Sequence, residues 1–285
     1  MKWVDEICLH SPYDVDEAQL DKVNCQYYVH GDDPVYNAAG ENMNEILGAL
    51  NRFKMIKRTT GISTTDITGR LLKLLEPEDE SDGPFSTTSQ NSRFAEPPKQ
   101  QFLQTSTRIA NFSNRSDPKP GDTIVYFAAS CDLMHPGVIE RLKLAKQQGD
   151  YLYVGLWDDE MIRYYKGSKY PLQSLQERIL MALAIKYVDD VVIGAPYIVT
   201  EDLIRSLNIS KVVIVDTAED QVKEEHRNID PYRVPKEQKI YTEIPKIEHD
   251  LTLEDIAKRV AANRAAFEKK FAKKKSSQDE YYKNK

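Results

Sequence analysis

Arg58-Thr59-Thr60-Gly61-Ile62-Ser63-Thr64-Thr65-Asp66 brings together the groups that hold a phosphate. Arg58 offers a guanidinium that can fork onto phosphate oxygens. Gly61 permits a turn at positive φ. Ser63, Thr64 and Thr65 place hydroxyls at the start of an apolar-periodic run, Ile67 to Leu75, which predicts a helix. Ser63 to Asp66 has the pattern of a capping box with Asp in place of Glu. A helix start exposes unpaired N–H groups at the positive end of its dipole, so anions settle there. The same residues would equally serve an ordinary capped helix beside a surface arginine.

A second constellation reads Ala129-Ser130-Cys131-Asp132-Leu133-Met134-His135-Pro136-Gly137-Val138. It follows a predicted strand, Thr123 to Ala128, and Pro136 suits the first turn of a helix. The loop therefore lies at the carboxyl end of a strand, where open α/β sheets bind ligands. His135 can donate a hydrogen bond to phosphate as charge develops; it also suits a helix entry with no catalytic task. Asp132 can accept from backbone amides at that entry. His30, Asp32 and Asp33 follow a third predicted strand, as a pocket wall or as a polar turn. Lys166 lies in a Tyr-rich segment that reads as a loop.

The elements that position these residues alternate. Asp5–Leu9, Gln26–Val29 and Phe53–Lys57 read as strands, and Asp16–Val23, Glu41–Asn51 and Thr64–Leu75 as helices. A Pro- and acid-rich stretch follows, with Glu76, Glu78, Asp79, Glu80 and Asp82 ahead of a Ser/Thr cluster. It has the composition of a disordered linker over 76–101. Phe102-Leu103-Gln104-Thr105-Ser106 opens a short docking helix. A second block then reads strand 123–128, helix 136–147, strand 151–156, helix 172–185, strand 190–193, helix 200–207, strand 212–215, strand 239–243 and a long helix from Thr252. Strands alternating with helices predict an α/β fold with a parallel sheet.

Composition narrows the function classes. The chain has 285 residues, enough for one large or two small domains. Its net charge of −6 provides no global basic field, which argues against nucleic acid as a partner. Three separated cysteines suggest a reducing compartment and no zinc cluster. No apolar run approaches the length of a membrane span, and no signal peptide is evident at the start. These features predict a cytoplasmic protein. Seven lysines against two acids between Lys269 and Lys285 form a basic tail, 265–285. It is either a solvated end or a weak contact with anionic membrane, such as the endoplasmic reticulum surface.

The sequence also repeats. Val4-Asp5-Glu6-Ile7 with Ser11-Pro12-Tyr13 matches Val188-Asp189-Asp190-Val191 with Ala195-Pro196-Tyr197, at an offset of 184. Asp66-Ile67 and Arg70 face Asp255-Ile256 and Arg259. Residues 1–75 thus read as the later half of a first fold, and 102–264 as a second, complete copy. On this reading the chain begins in the middle of its first domain.

At these residues the chain resembles the ethanolamine-phosphate cytidylyltransferase family, built from two tandem cytidylyltransferase folds. The family pattern Arg-Thr-x-Gly-Ile/Val-Ser-Thr matches Arg58 to Thr64 throughout. Lys2 to Glu6, Phe102 to Ser106, Tyr165-Lys166-Gly167, Tyr170-Pro171, Glu177-Arg178, Gly194 to Tyr197 and Asp230-Pro231-Tyr232 resemble further segments. The family's first loop, Gly-x-Phe-Asp-x-x-His-x-Gly-His, is present once and altered. Ala129 stands for Gly, Cys131 for Phe and Val138 for the second His. The late motif of the second copy is degraded to Leu251-Thr252-Leu253-Glu254.

The resemblance implies a Rossmann-like nucleotidyltransferase that makes CDP-ethanolamine and pyrophosphate from CTP and phosphoethanolamine. Catalytic roles fall to His135, Lys166 and Arg58. CTP and its phosphates fall to Ser130, Cys131, Asp132, Gly137, Thr59, Gly61, Ile62, Ser63, Thr64 and Thr65. The phosphoethanolamine side falls to His30, Asp32 and Asp33. Mg2+ would arrive with CTP and not in a protein cage. The departures allow another expectation: an impaired isoform or paralogue that binds nucleotide, or pairs as a homodimer or with a full-length subunit.

Overall fold

The computed structural model describes residues 1–37, 39–57, 63–76, 117–215, 217, 222–244, 251–267 and 269. The connector at Phe102–Ser106, nearly all of the expected linker and most of the basic tail lie outside these residues. Two compact units are present. The larger comprises Met1–Trp3 and Asp66–Arg264, the smaller Val4–Thr65 and Ala265–Lys285.

The larger unit is built on five strands: β3 (Ile124–Ala129), β4 (Tyr151–Leu156), β5 (Asp190–Ile193), β6 (Lys211–Val215) and β7 (Tyr241–Ile244). They run in the order β5-β4-β3-β6-β7, every pair parallel. The chain steps outward from β3 to one edge, then returns and steps outward from β6 to the other. The reversal between β3 and β6 makes a topological switch point, with a crevice beyond the strands' carboxyl ends. All six residues of β3 are buried, as a central parallel strand covered on both faces requires.

Side chains of β3 alternate between two cores. Val125 and Phe127 pack with Leu142 and Ala145 of α4 (Pro136–Lys146) and with Ile179 and Leu183 of α6 (Leu175–Leu183). Tyr126 and Ala128 pack on the other face with Ile162 of α5 (Asp159–Lys166) and Ile204 of α7 (Glu201–Ser206). The Tyr126 hydroxyl lies where a Cβ on Gly155 would stand, so β4 needs glycine there. A short helix, α8 (Arg233–Glu237), precedes β7. Helix α9 (Leu253–Ala262) opens with a capping box between Thr252 and Asp255. Its Leu253 and Ala257 pack against Leu71 and Leu74 of α3 (Thr64–Leu74). From Asp66 onward α3 therefore belongs to the larger unit.

The smaller unit holds α1 (Glu17–Lys22), β1 (Tyr28–His30), α2 (Met43–Ala49) and β2 (Phe53–Met55), with β1 and β2 parallel. Among the described residues its buried apolar side chains are Leu20, Met43 and Leu47. Arg52 supports it by donating to Asp21 at 2.9 Å and to the Cys25 and Gln26 carbonyls. Some local turns recur in the two units. Asn24 and Asn208 both end a helix at positive φ, 54° and 50°. The Cys25 amide donates to Leu20 as that of Ile209 does to Ile204, at 2.8 and 2.9 Å. The Arg52 amide donates to Leu47 as that of Ile240 does to Pro235, at 2.9 and 3.0 Å.

Some expectations need correction. Asp5–Leu9 is not a strand, and Ile7 and Leu9 are 73% and 76% exposed. By contrast β5 is a strand by pairing with β4; among the described residues Asp5–Leu9 has no such neighbour. The helix expected from Leu172 begins at Leu175, because Ser174 caps it in a capping box with Glu177. The amides of Leu172 and Gln173 are committed elsewhere. Lys166 sits not in a loop but at the last turn of α5.

Candidate active site

The loop between β3 and α4 is held by long-range hydrogen bonds. Cys131 and Leu133 take positive φ, 48° and 60°, which residues with a Cβ adopt only when their surroundings enforce it. The enforcement is visible on either side of each. The Ser130 carbonyl accepts from Arg178 at 2.8 Å, and Arg178 is fully buried. The same guanidinium donates to the Gln173 carbonyl at 3.1 Å and to Asp159 at 2.6 Å. Asp132, 1% exposed, accepts from the Leu172 amide at 2.7 Å and the Gln173 amide at 2.9 Å. The Leu133 amide donates to the Gln173 side chain at 3.0 Å. Loop and 172–174 segment thus fix one another.

Electrostatics follow the burial. Removal from water pushes the Asp132 carboxyl above the usual carboxylate range. The two amide bonds and the charges of Lys166 and Arg178 oppose that shift and do not overcome it.

Lys166 reaches this loop from the end of α5. Its Nζ lies 3.4 Å from the Ser130 hydroxyl and 5.1 Å from the centre of the Tyr170 ring. Gly167, at φ 117°, ends the helix immediately after it. The helix was legible: Asp158 caps it, acids follow, and glycine closes it. His135 is the N-cap residue of α4, with extended backbone, and is 4% exposed. Its side chain makes no capping bond to the helix amides. A Cβ on Gly137 would meet the His135 ring at 3.2 Å and the Leu251 carbonyl at 2.5 Å. Glycine here lets the entry to α9 pass directly over the first turn of α4. Two helix N-termini, a lysine and a histidine therefore gather at the carboxyl end of the sheet. Such a set favours an anion.

The other predicted residues fall elsewhere. His30 ends β1, stacks on Tyr28 with ring centres 6.0 Å apart, and approaches the Gly31 carbonyl at 3.3 Å. The Asp33 carbonyl accepts from Asn44 at 3.0 Å, which ties the Asp32–Asp33 turn to α2. Lys57, directly before Arg58, leaves β2 at the same end of the parallel pair, since Ile56 donates to the His30 carbonyl at 2.9 Å. Arg58, Thr59, Gly61 and Ile62 lie outside the described residues, as does the Thr65 side chain. Ser63 is half-buried and Thr64 exposed at the start of α3. The sequence reading gave no role to Gln173 or Asp159, and knew Arg178 only as part of a matching segment. A buried arginine leaves no local signal; its partners are 5, 19 and 48 residues away.

The chain is similar to known proteins. Residues 126–266 match the model of the cytidylyltransferase-like family. Ethanolamine-phosphate cytidylyltransferase of Dictyostelium discoideum is 39% identical over 97% of this chain and 78% of its own length. The chain belongs to the ethanolamine-phosphate cytidylyltransferase family. The Arabidopsis thaliana member is 36% identical over all of this chain and 72% of its own length. The Mus musculus member is 35% identical over 98% of this chain and 75% of its own length. The similarity therefore reaches across both units.

Proposed function

We infer that this chain transfers CMP from CTP to phosphoethanolamine, giving CDP-ethanolamine and pyrophosphate for phosphatidylethanolamine synthesis. The observation that carries this reading is the match to enzymes of that name over almost the whole chain. A phosphoethanolamine oxygen forms a bond to the α-phosphorus as the bond to the β-phosphate oxygen breaks, and the electron pair leaves with pyrophosphate. Such transfer relies on positioning and on donors aimed at developing charge.

On this reading Lys166 and His135 present donors to phosphate oxygens at the β3–α4 loop. Ser130, Cys131, Asp132 and Gly137 shape that loop. Arg58, Thr59, Gly61, Ile62, Ser63, Thr64 and Thr65 form a cradle for phosphate at the start of α3, supported by their chemistry and by the family motif. His30, Asp32 and Asp33 flank the phosphoethanolamine side, supported by their place at the carboxyl end of β1.

Among the described residues no group of three or more His, Cys, Asp or Glu side chains is placed to hold a metal ion. Mg2+ is proposed only as the escort of CTP, held by phosphate oxygens and water. No helix among the described residues is long and apolar enough to cross a membrane. The basic tail would give weak contact with anionic lipid at the endoplasmic reticulum surface.

Purified full chain given CTP, phosphoethanolamine and Mg2+ should form CDP-ethanolamine. Arg58→Ala should lower kcat/KM by about 10²–10³, the scale of a lost preorganised donor. No product from the unaltered chain would overturn the reading.

A further inference from the structure

Lys166 stands on the last turn of α5, where a helix is least self-sufficient. The final carbonyls of a helix have no amide partner within it, so neighbours must supply one. Here they come from far along the chain. Residues 222–226 lie between β6 and α8 and end in a short 3-10 turn, Glu224–His226. The Lys223 amide donates to the Tyr165 carbonyl at 2.8 Å. Nε2 of His226 lies 3.2 Å from the Tyr164 carbonyl, 62 residues away in sequence. A carbonyl can only accept, so Nε2 carries the proton. The two capped carbonyls belong to the residues directly before Lys166.

Aromatic packing sets the rotation of the same turn. The His226 ring lies 4.4 Å from the centre of the Tyr164 ring and 5.0 Å from that of Tyr165. Tyr165 in turn stacks on Tyr197 at 3.8 Å. His226 is 8% exposed, so little water competes for the carbonyl it serves. Without that donor the carbonyl must seek another, and the last turn moves with it. Lys166 carries the movement to its Nζ, which lies 3.4 Å from the Ser130 hydroxyl. The other end of α5 is anchored separately. Asp158 caps it, and Asp159 accepts from buried Arg178 at 2.6 Å. A change at His226 is therefore felt at the turn that bears Lys166 and not along the whole helix.

We propose that His226 is a positioning residue for Lys166: with the Lys223 amide it caps the end of α5 and sets where Nζ meets a phosphate of CTP. The proposal rests on the reading of Lys166 as a donor to CTP phosphate oxygens. His226→Phe keeps a ring against Tyr164 and Tyr165 and removes the donor. It should raise the Kd for CTP about tenfold. His226→Gln offers a donating amide again and should recover most of the affinity. In a chain already carrying Lys166→Ala, His226→Phe should change Kd by less than about twofold, because its effect passes through the lysine.

The test is isothermal titration calorimetry of the full chain and these variants with CTP and Mg2+, which separates affinity from the fraction of competent protein. A raised Kd in His226→Phe, recovered in His226→Gln and absent beside Lys166→Ala, supports the proposal. An unchanged Kd in His226→Phe, with Lys166→Ala weakened, overturns the role of His226 and leaves Lys166 standing. So does an equal loss in both backgrounds, a His226→Gln no tighter than His226→Phe, or a lowered stoichiometry with Kd unchanged, each the mark of a merely structural histidine. Native affinity in Lys166→Ala overturns the reading of Lys166 and the role of His226 with it; CDP-ethanolamine formation by the unaltered chain still decides the proposed reaction. If His226→Phe fails to fold, Lys223→Pro takes its place under the same criteria. It removes the amide bonded to Tyr165, and the Lys223 φ of −53° suits proline.

Discussion

Replacing Asp132 by alanine tests whether the β3–α4 loop is held as described. The substitution removes the acceptor for the Leu172 and Gln173 amides, bound at 2.7 and 2.9 Å. Each orphaned amide costs about 1–3 kcal/mol. Relief from desolvating the carboxylate offsets part of this. A net loss of about 2–4 kcal/mol in the larger unit follows. With a urea slope of about 2 kcal/mol per molar, the midpoint should fall by about 1–2 M.

Trp157 reports on this unit directly. It is 3% exposed, whereas the only other tryptophan, Trp3, is 54% exposed and contributes little change on unfolding. The pH dependence has a definite sign. Burial raises the folded-state pKa of Asp132, so between its unfolded and folded values the folded chain binds the extra proton. That contribution to stability is fully present below the unfolded value and is lost as pH rises through the folded one. The variant lacks it. The stability gap between native chain and Asp132→Ala should therefore widen on acidification from pH 7 toward the carboxylate range. Urea titrations of both proteins at two pH values, followed by tryptophan fluorescence, measure it. An unchanged midpoint in the variant, or a gap that narrows in acid, would refute the reasoning.

Other expectations are simpler. The Tyr126 hydroxyl is buried with no hydrogen-bond partner among the described residues, and burial pushes its pKa up. Tyr126→Phe should stabilise the larger unit by about 1 kcal/mol in thermal unfolding; a lowered Tm would count against it. Gly137→Ala drives a Cβ toward the Leu251 carbonyl and the His135 ring. It should destabilise by about 1–3 kcal/mol and displace His135, with CDP-ethanolamine formation falling in step; native-like activity and stability would refute the close approach. Amides of β1 and β2 should exchange with deuterium faster than those of β3 and β4, because few of the smaller unit's described residues are buried and apolar. Equal protection would contradict this.

The larger fold was legible wherever the signal is local. Apolar runs at β3, β4 and β6 predict buried parallel strands. Pro136 and Thr252 mark helix starts within a residue or two of where they are found. Asn24 and Asn208 carry a local signal too: each ends its helix at positive φ, a conformation asparagine tolerates. Ser174 and Glu177 carry an equally local signal, a capping box that starts the helix at Leu175 and not at Leu172.

The sequence by itself determined the α/β pattern and the chemical character of the motifs at Arg58–Asp66 and Ser130–His135. These depend on dihedral preference, capping and periodicity, which act over a few residues. Only the tertiary structure decided that Asp132 binds amides 40 and 41 residues away, and that Arg178 grips the Ser130 carbonyl. It also decided that Asp5–Leu9, strand-like in composition, is not a strand, because a strand exists only through its neighbours. And it seated α3 on α9 while anchoring Arg70 to Leu172. Such contacts are settled by which surfaces the folded chain brings together, and local spacing carries no record of that.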